Sequence, residues 1–134
     1  LDEGVEDWTD WKDVIPIAWS YAELLHSRGK YAAAVPIVRR VLELEEERLG
    51  PEHPNTLTMV SDLGLLLQAK GDLDGAEKLL RRVLETRERT LGPDHPVTLM
   101  SVEFLGMLLQ GTGDYDGVEE LRKRYPKAEF VFDE

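Results

Sequence analysis

No cysteine occurs among the 134 residues. Disulfides and thiolate metal sites are therefore excluded, and the redox compartment stays open. No apolar run approaches the roughly 20 residues that a membrane-spanning helix needs. The acidic start shows no secretory leader. Histidine is scarce, with three copies at His26, His53 and His95, so a nucleophile has few bases to pair with. Neither a glycine-rich phosphate loop nor a zinc spacing is present; Gly111-Thr112-Gly113 reads as a helix-ending turn. Positive charge is also short. There are 16 Lys+Arg against 27 Asp+Glu, a formal net charge of −11. Such a surface repels nucleic acid and anionic membranes and favours basic or neutral partners. The expectation is a protein that is not an enzyme, needs no cofactor or metal, and binds no nucleic acid.

What is present is a repeat. Leu49-Gly50-Pro51-Glu52-His53-Pro54 returns as Leu91-Gly92-Pro93-Asp94-His95-Pro96, 42 residues later. Leu57, Val60, Leu63-Gly64 and Leu66-Leu67-Gln68 recur as Leu99, Val102, Leu105-Gly106 and Leu108-Leu109-Gln110. Gly71-Asp72 recurs as Gly113-Asp114, and Gly29, Tyr31, Ala34 and Val41-Leu42 mark a weaker first copy. Self-similarity at such a period means stacked units rather than one globular topology.

Each unit reads as two helices. In the middle unit the first runs from about Asn55 to Ala69, with Leu57, Val60, Leu63, Gly64 and Leu67 on one face. Gly71-Asp72 breaks it, because glycine tolerates the left-handed turn that ends a helix. The second runs from near Leu73 to about Thr90 and buries Ala76, Leu79, Leu80, Val83 and Leu84. Gly64 and Ala76 are small where two helices approach. Pro54 and Pro96 stand where a helix start tolerates proline. Pro36 is expected to remove one backbone hydrogen bond and to kink its helix.

The spacing of Leu63, Gly64, Leu67, Gly71, Leu73, Ala76, Leu80 and Val83 resembles the tetratricopeptide signature. The 42-residue unit with Leu-Gly-Pro-x-His-Pro linkers resembles the kinesin light chain type. The resemblance covers roughly residues 14–125. It implies an all-α fold, a right-handed α-solenoid of about three helix-turn-helix repeats. The expected division is an acidic, Trp-containing segment or cap over 1–13, repeats over 14–54, 55–96 and a shortened 97–126, and a tail over 127–134. Arg122 departs from the pattern, falling where Leu80 and Val38 are apolar. The tail, with Phe130, Val131 and Phe132, is expected to fold back over the last helix pair, since terminal repeats must cap an apolar face.

The resemblance also implies a concave face lined by the first helix of each repeat. Carried over, its positions are Trp19, Glu23 and His26; then Thr58, Ser61, Leu65 and Gln68; then Met100, Glu103, Met107 and Gln110. All fall off the core stripes, so exposure is expected. Trp19, Leu65, Met100 and Met107 offer apolar contact, and Met adapts to irregular partners. Glu23 and Glu103 offer negative charge. The lysine and asparagine clamp of some relatives is missing, and Ser61-Asp62 and Glu103-Phe104 stand where kinesin light chain repeats often carry paired asparagines. The expected ligand is a peptide or helix with apolar anchors and a Lys or Arg.

Other features read as structural. His53 and His95 hold the same linker position, as repeated structural residues do. Arg39-Arg40, Arg81-Arg82 and Lys123-Arg124 also repeat, and pair at the surface with neighbours, Arg39 with Glu43 and Arg81 with Glu77. Trp8 and Trp11, in an acidic stretch, resemble the tryptophan-acidic peptides that kinesin light chains bind; the expected role is a cap on the first helix pair, the alternative being occupation of a groove. Starting at Leu1, the chain is expected to be a processed product or part of a longer one. The default compartment is the cytoplasm, or an organelle if that start reflects processing. The function expected is an adaptor or scaffold that binds a protein partner. The alternative is a subunit of a larger assembly, docking through its ends or convex face.

Overall fold

A computed structural model describes residues 11–130. Among them are six helices and no strand: α1 Trp11–Ser27, α2 Tyr31–Leu49, α3 Pro54–Lys70, α4 Leu73–Leu91, α5 Pro96–Thr112 and α6 Tyr115–Arg124. The expected caps by Trp8 and Trp11, and by Val131 and Phe132, lie outside the described residues or side chains. The chain forms two compact units that meet at Met59 and Val60, within α3.

The turns follow from a few residues. Gly29, Gly50, Gly71, Gly92 and Gly113 all have positive φ, one every 21 residues, so every helix from α1 to α5 is ended by a glycine. At Gly71 (φ +101°) the next amide, of Asp72, donates to the Leu67 carbonyl at 2.8 Å, which closes α3 in the Schellman manner. Asp72 then opens α4, its carboxylate accepting from the Gly75 amide at 3.0 Å. Gly113 and Asp114 repeat the device between α5 and α6, with Asp114 accepting from Gly117 at 2.9 Å. Between α1 and α2, Lys30 stands in that place and makes no side-chain cap.

The longer linkers use histidine. His95 Nδ1 accepts from the Val97 amide and His53 Nδ1 from the Asn55 amide, each at 3.1 Å. Each imidazole thus satisfies an amide that a helix start leaves without a partner. The structural reading of the repeated histidines follows directly from this geometry.

In the first unit, α1 packs on α2. Ile15, Val41 and Leu44 form a buried cluster, joined by Ala18, Trp19 and Met59. Helix α2 buries Ala34, Val38, Val41, Leu42 and Glu45. It runs unbroken through Pro36, as α1 does through Pro16; each proline lies early in its helix.

In the second unit, α4 buries Ala76, Leu80, Val83, Leu84 and Arg87, the register of α2 shifted by 42 residues. Each fully buried leucine contributes about 1.5–3 kcal/mol relative to exposure. At Gly64 a built Cβ would lie 3.1 Å from Leu80 Cδ2, so the small residue permits the close approach of α3 and α4. Helix α5 packs between α4 and α6. Helix α6 has 10 residues where α4 has 19, and the chain beyond it supplies the missing cover. Tyr125 and Phe130 are both buried, and Phe130 lies on Gly106 of α5. Arg122 holds its guanidinium 5.0 Å from the Phe130 ring centre. The departure at Arg122 therefore has a physical reason: a cation over an aromatic face replaces an aliphatic contact.

Candidate functional site

The first unit contains Trp19, Glu23, His26 and Thr58. Trp19 is half-buried and packs against the Ile15–Val41–Leu44 cluster. Its Nε1 donates to Glu23 Oε1 at 3.0 Å. His26 is exposed, its ring 5.4 Å from that of Tyr31. Thr58 is exposed, and its hydroxyl donates to the Pro54 carbonyl of its own helix at 3.0 Å. Trp19 thus divides its surface between the core and solvent, a departure from the expectation that it stands clear of the core.

The second unit contains the other seven. Leu65 and Gln68 on α3 are half-buried. Ser61 corrects the expected exposure. It is 6% exposed, and its hydroxyl has no hydrogen-bond partner. A small residue one turn before Leu65 is taken into the interior rather than offered to a ligand.

Helix α5 gives the clearest arrangement. Thr98, Ser101, Val102, Leu105, Gly106, Leu108 and Leu109 are buried. Met100, Glu103, Met107 and Gln110 recur at steps of three, four and three along the same helix, which places them on one face. Met100 and Met107 are 42% and 44% exposed, while Glu103 and Gln110 are half-buried. The result is a strip of two soft apolar side chains with a carboxylate between them and an amide at its end.

Local signals missed several groups that hold the frame of the site. Buried Arg87 donates to Ser101 Oγ at 2.7 Å, and the Thr98 hydroxyl donates to the Arg87 carbonyl at 3.3 Å. Burial pushes the Arg87 guanidinium below its ordinary value, and the charge of Asp62 opposes that shift. Glu88 gathers Arg124 at 2.8 Å and the Tyr125 hydroxyl. Burial first, then the hydrogen bond to Glu88, raises the Tyr125 phenol well above its usual range. The surface pair expected between Arg39 and Glu43 is instead Arg40 with Glu43 at 2.9 Å, whereas Arg81 pairs with Glu77 as expected. Among the described residues no group of three or more His, Asp or Glu side chains is placed to hold a metal ion, and no helix is long and apolar enough to cross a membrane.

Helix pairs at a fixed period, with glycine turns at the ends of α1 to α5 and a small residue where α3 meets α4, define a repeat protein of the helix-turn-helix class. A family profile for the tetratricopeptide repeat matches residues 22–55 and 56–97, more than half of the chain. The chain belongs to the tetratricopeptide repeat family, and its repeats are similar to those of kinesin light chain-like proteins. Two crystal structures of a Podosopora anserina kinesin light chain-like protein with nearly identical TPR-like repeats resemble it. Their TM-scores are 0.74 and 0.72 at 23% and 26% identity, over 87% and 83% of this chain and 55% and 53% of theirs. BtubC (BKLC) from P. vanneervenii resembles it with a TM-score of 0.74 at 20% identity, over 87% of this chain and 46% of that one. The chain thus spans about half the length of these structures. No curated protein matches it by sequence. Its fold is that of a protein–protein interaction scaffold, a class that is generally non-enzymatic.

Proposed function

We propose that this protein is an adaptor that holds a peptide or helix of a partner on the exposed faces of its first helices. In the second unit the seat is the α5 strip of Met100, Glu103, Met107 and Gln110, with Leu65 and Gln68 of α3 contributing. In the first unit, Glu23 and His26 and the outer part of Trp19 offer a similar mixture. The observation that carries this reading is the exposure of Met100 and Met107 two turns apart on one helix face, with Glu103 between them. Two flexible thioether side chains adapt to irregular apolar surfaces, and the carboxylate selects a Lys or Arg in the partner. The ligand is therefore a segment with two apolar anchors about 10 Å apart, the rise of seven helical residues, and a basic residue between them.

A peptide-display selection on the wild-type protein tests this. Recovered sequences should show the apolar–basic–apolar pattern. They should lose binding to Met100→Lys/Met107→Lys, which circular dichroism should show to be as helical as the wild type. Selected peptides that bind the double variant equally well would remove the strip as the seat.

A further inference from the structure

The sulfur of this chain is confined to three methionines, Met59, Met100 and Met107, with no cysteine beside them. The fold treats the three differently. Met59 is half-buried and packs on the Ile15–Val41–Leu44 cluster of the first unit. Met100 and Met107 are 42% and 44% exposed on α5, while Thr98, Ser101, Val102, Leu105 and Leu109 hold that helix in the core. The helix does not require sulfur at either exposed place. In the preceding repeat, 42 residues earlier, Leu65 takes the position of Met107 and Thr58 that of Met100. A leucine at the same position of the repeat supplies apolar surface without the sulfur. What a thioether adds over leucine is flexibility and an atom that can be oxidised.

We propose that Met100 and Met107 are a modification site, oxidised by peroxide to methionine sulfoxide, and that this oxidation releases the partner held on the α5 strip. The inference rests on the reading of that strip as the partner's seat. In the step itself the thioether sulfur attacks one oxygen of the peroxide. An S–O bond forms, the O–O bond breaks, and sulfur gives up the two electrons that the peroxide takes. The departing hydroxide collects the proton left on the transferred oxygen and leaves as water. The product is polar where methionine was apolar. Both apolar anchors of the seat then become hydrogen-bond acceptors, on either side of the Glu103 carboxylate, itself an acceptor. The change falls on the exposed face, so recognition is altered while the buried side of α5 is untouched. Oxidation of Met59 would instead set a polar group against a core cluster and act as damage. The modification is also reversible. Two reductases, one for each sulfoxide epimer, return the thioether; a dithiol supplies the two electrons, becomes a disulfide, and the oxygen leaves as water.

The test treats the whole protein with hydrogen peroxide, removes the excess with catalase, and follows each methionine by peptide mass spectrometry. Met100 and Met107 should gain oxygen before Met59, and the circular dichroism should stay at its untreated value. The protein is then titrated by fluorescence anisotropy with a labelled, stapled, alanine-based helix. That probe carries two leucines two turns apart, a lysine between them, and no sulfur. Oxidation should weaken its binding at least about tenfold, or ~1.4 kcal/mol, and the two reductases with a dithiol should restore it. Met59→Leu should respond to peroxide as the wild type does. Met100→Leu/Met107→Leu, whatever its starting affinity, should show the same affinity before and after treatment. Some results overturn the inference and leave the seat in place: Met59 oxidised first, helicity lost together with binding, unchanged affinity with both strip methionines oxidised, or an equal loss in the leucine variant. Failure of the untreated protein to bind the probe instead removes the α5 strip as the seat, and the inference falls with it.

Discussion

The contact between Phe130 and Gly106 can be tested through a change of sign. A Cβ built on Gly106 would fall 2.8 Å from Phe130 Cδ1 and closer still to Cε1, with both atoms belonging to a ring that is 5% exposed. Gly106→Ala therefore has two opposed effects. Alanine in a helix interior is favoured over glycine by about 1 kcal/mol. Overpacking against a seated ring costs about 1–3 kcal/mol. In the wild-type background the sum should be a net loss of up to about 2 kcal/mol. Phe130→Ala alone should cost about 3 kcal/mol, the low end for a buried phenylalanine, since the ring lies in a terminal tail. With the ring gone, Gly106→Ala should stabilise by about 1 kcal/mol. Urea unfolding of the four proteins, followed by circular dichroism, gives the coupling as the failure of additivity. If Gly106→Ala stabilises the protein while Phe130 is present, the ring is not seated on α5, and the account of the C-terminal closure falls with it.

Three further outcomes follow from the same geometry. Lys30→Asp should raise stability by about 1 kcal/mol, measured as a higher urea midpoint, because Asp72 and Asp114 make a cap that Lys30 does not. Thr56→Val should stabilise by about 1 kcal/mol by removing a buried hydroxyl that has no partner, while Thr98→Val, its counterpart in the next repeat, should destabilise by a similar amount by breaking the bond to Arg87; equal signs would contradict this assignment. The Tyr125 phenol is raised above its unfolded value of 10.0, so the folded state holds that proton more tightly. Its contribution is complete below pH 10 and declines as pH rises above it; thermal unfolding should show this decline in the wild type and a smaller one in Tyr125→Phe.

The backbone plan was legible in the sequence because its signals are local. Gly71-Asp72 and Gly113-Asp114 each stop one helix and cap the next, and the His-Pro pairs start α3 and α5, so helix limits lay within a residue or two of expectation. The buried stripes of α2 and α4 follow from three-and-four spacing alone. Other features depend on partners remote in sequence or on a choice between near-equal neighbours. Glu88 meets Arg124 and Tyr125 from 36 and 37 residues away, and nothing local marks that meeting. Glu43 stands four residues after Arg39 and three after Arg40, two spacings that a helix brings equally near, and it pairs with Arg40. Ser61 is too small for periodicity to place.

The same face of successive repeats is not interchangeable, and this bears on how partners are chosen. At the register position of Arg87, the first repeat has Glu45, 2% exposed and bound to Arg48 at 2.9 Å. Opposite Arg87, α5 supplies Ser101 and Thr98; the counterpart of Thr98 in α3, Thr56, finds no partner for its hydroxyl. A buried ionic group left unpaired costs several kcal/mol, more than most apolar mismatches. In the second unit, a neighbour of α4 that lacked the Ser101 and Thr98 hydroxyls would leave Arg87 without these partners, so polar residues within an otherwise apolar stripe favour α5 there.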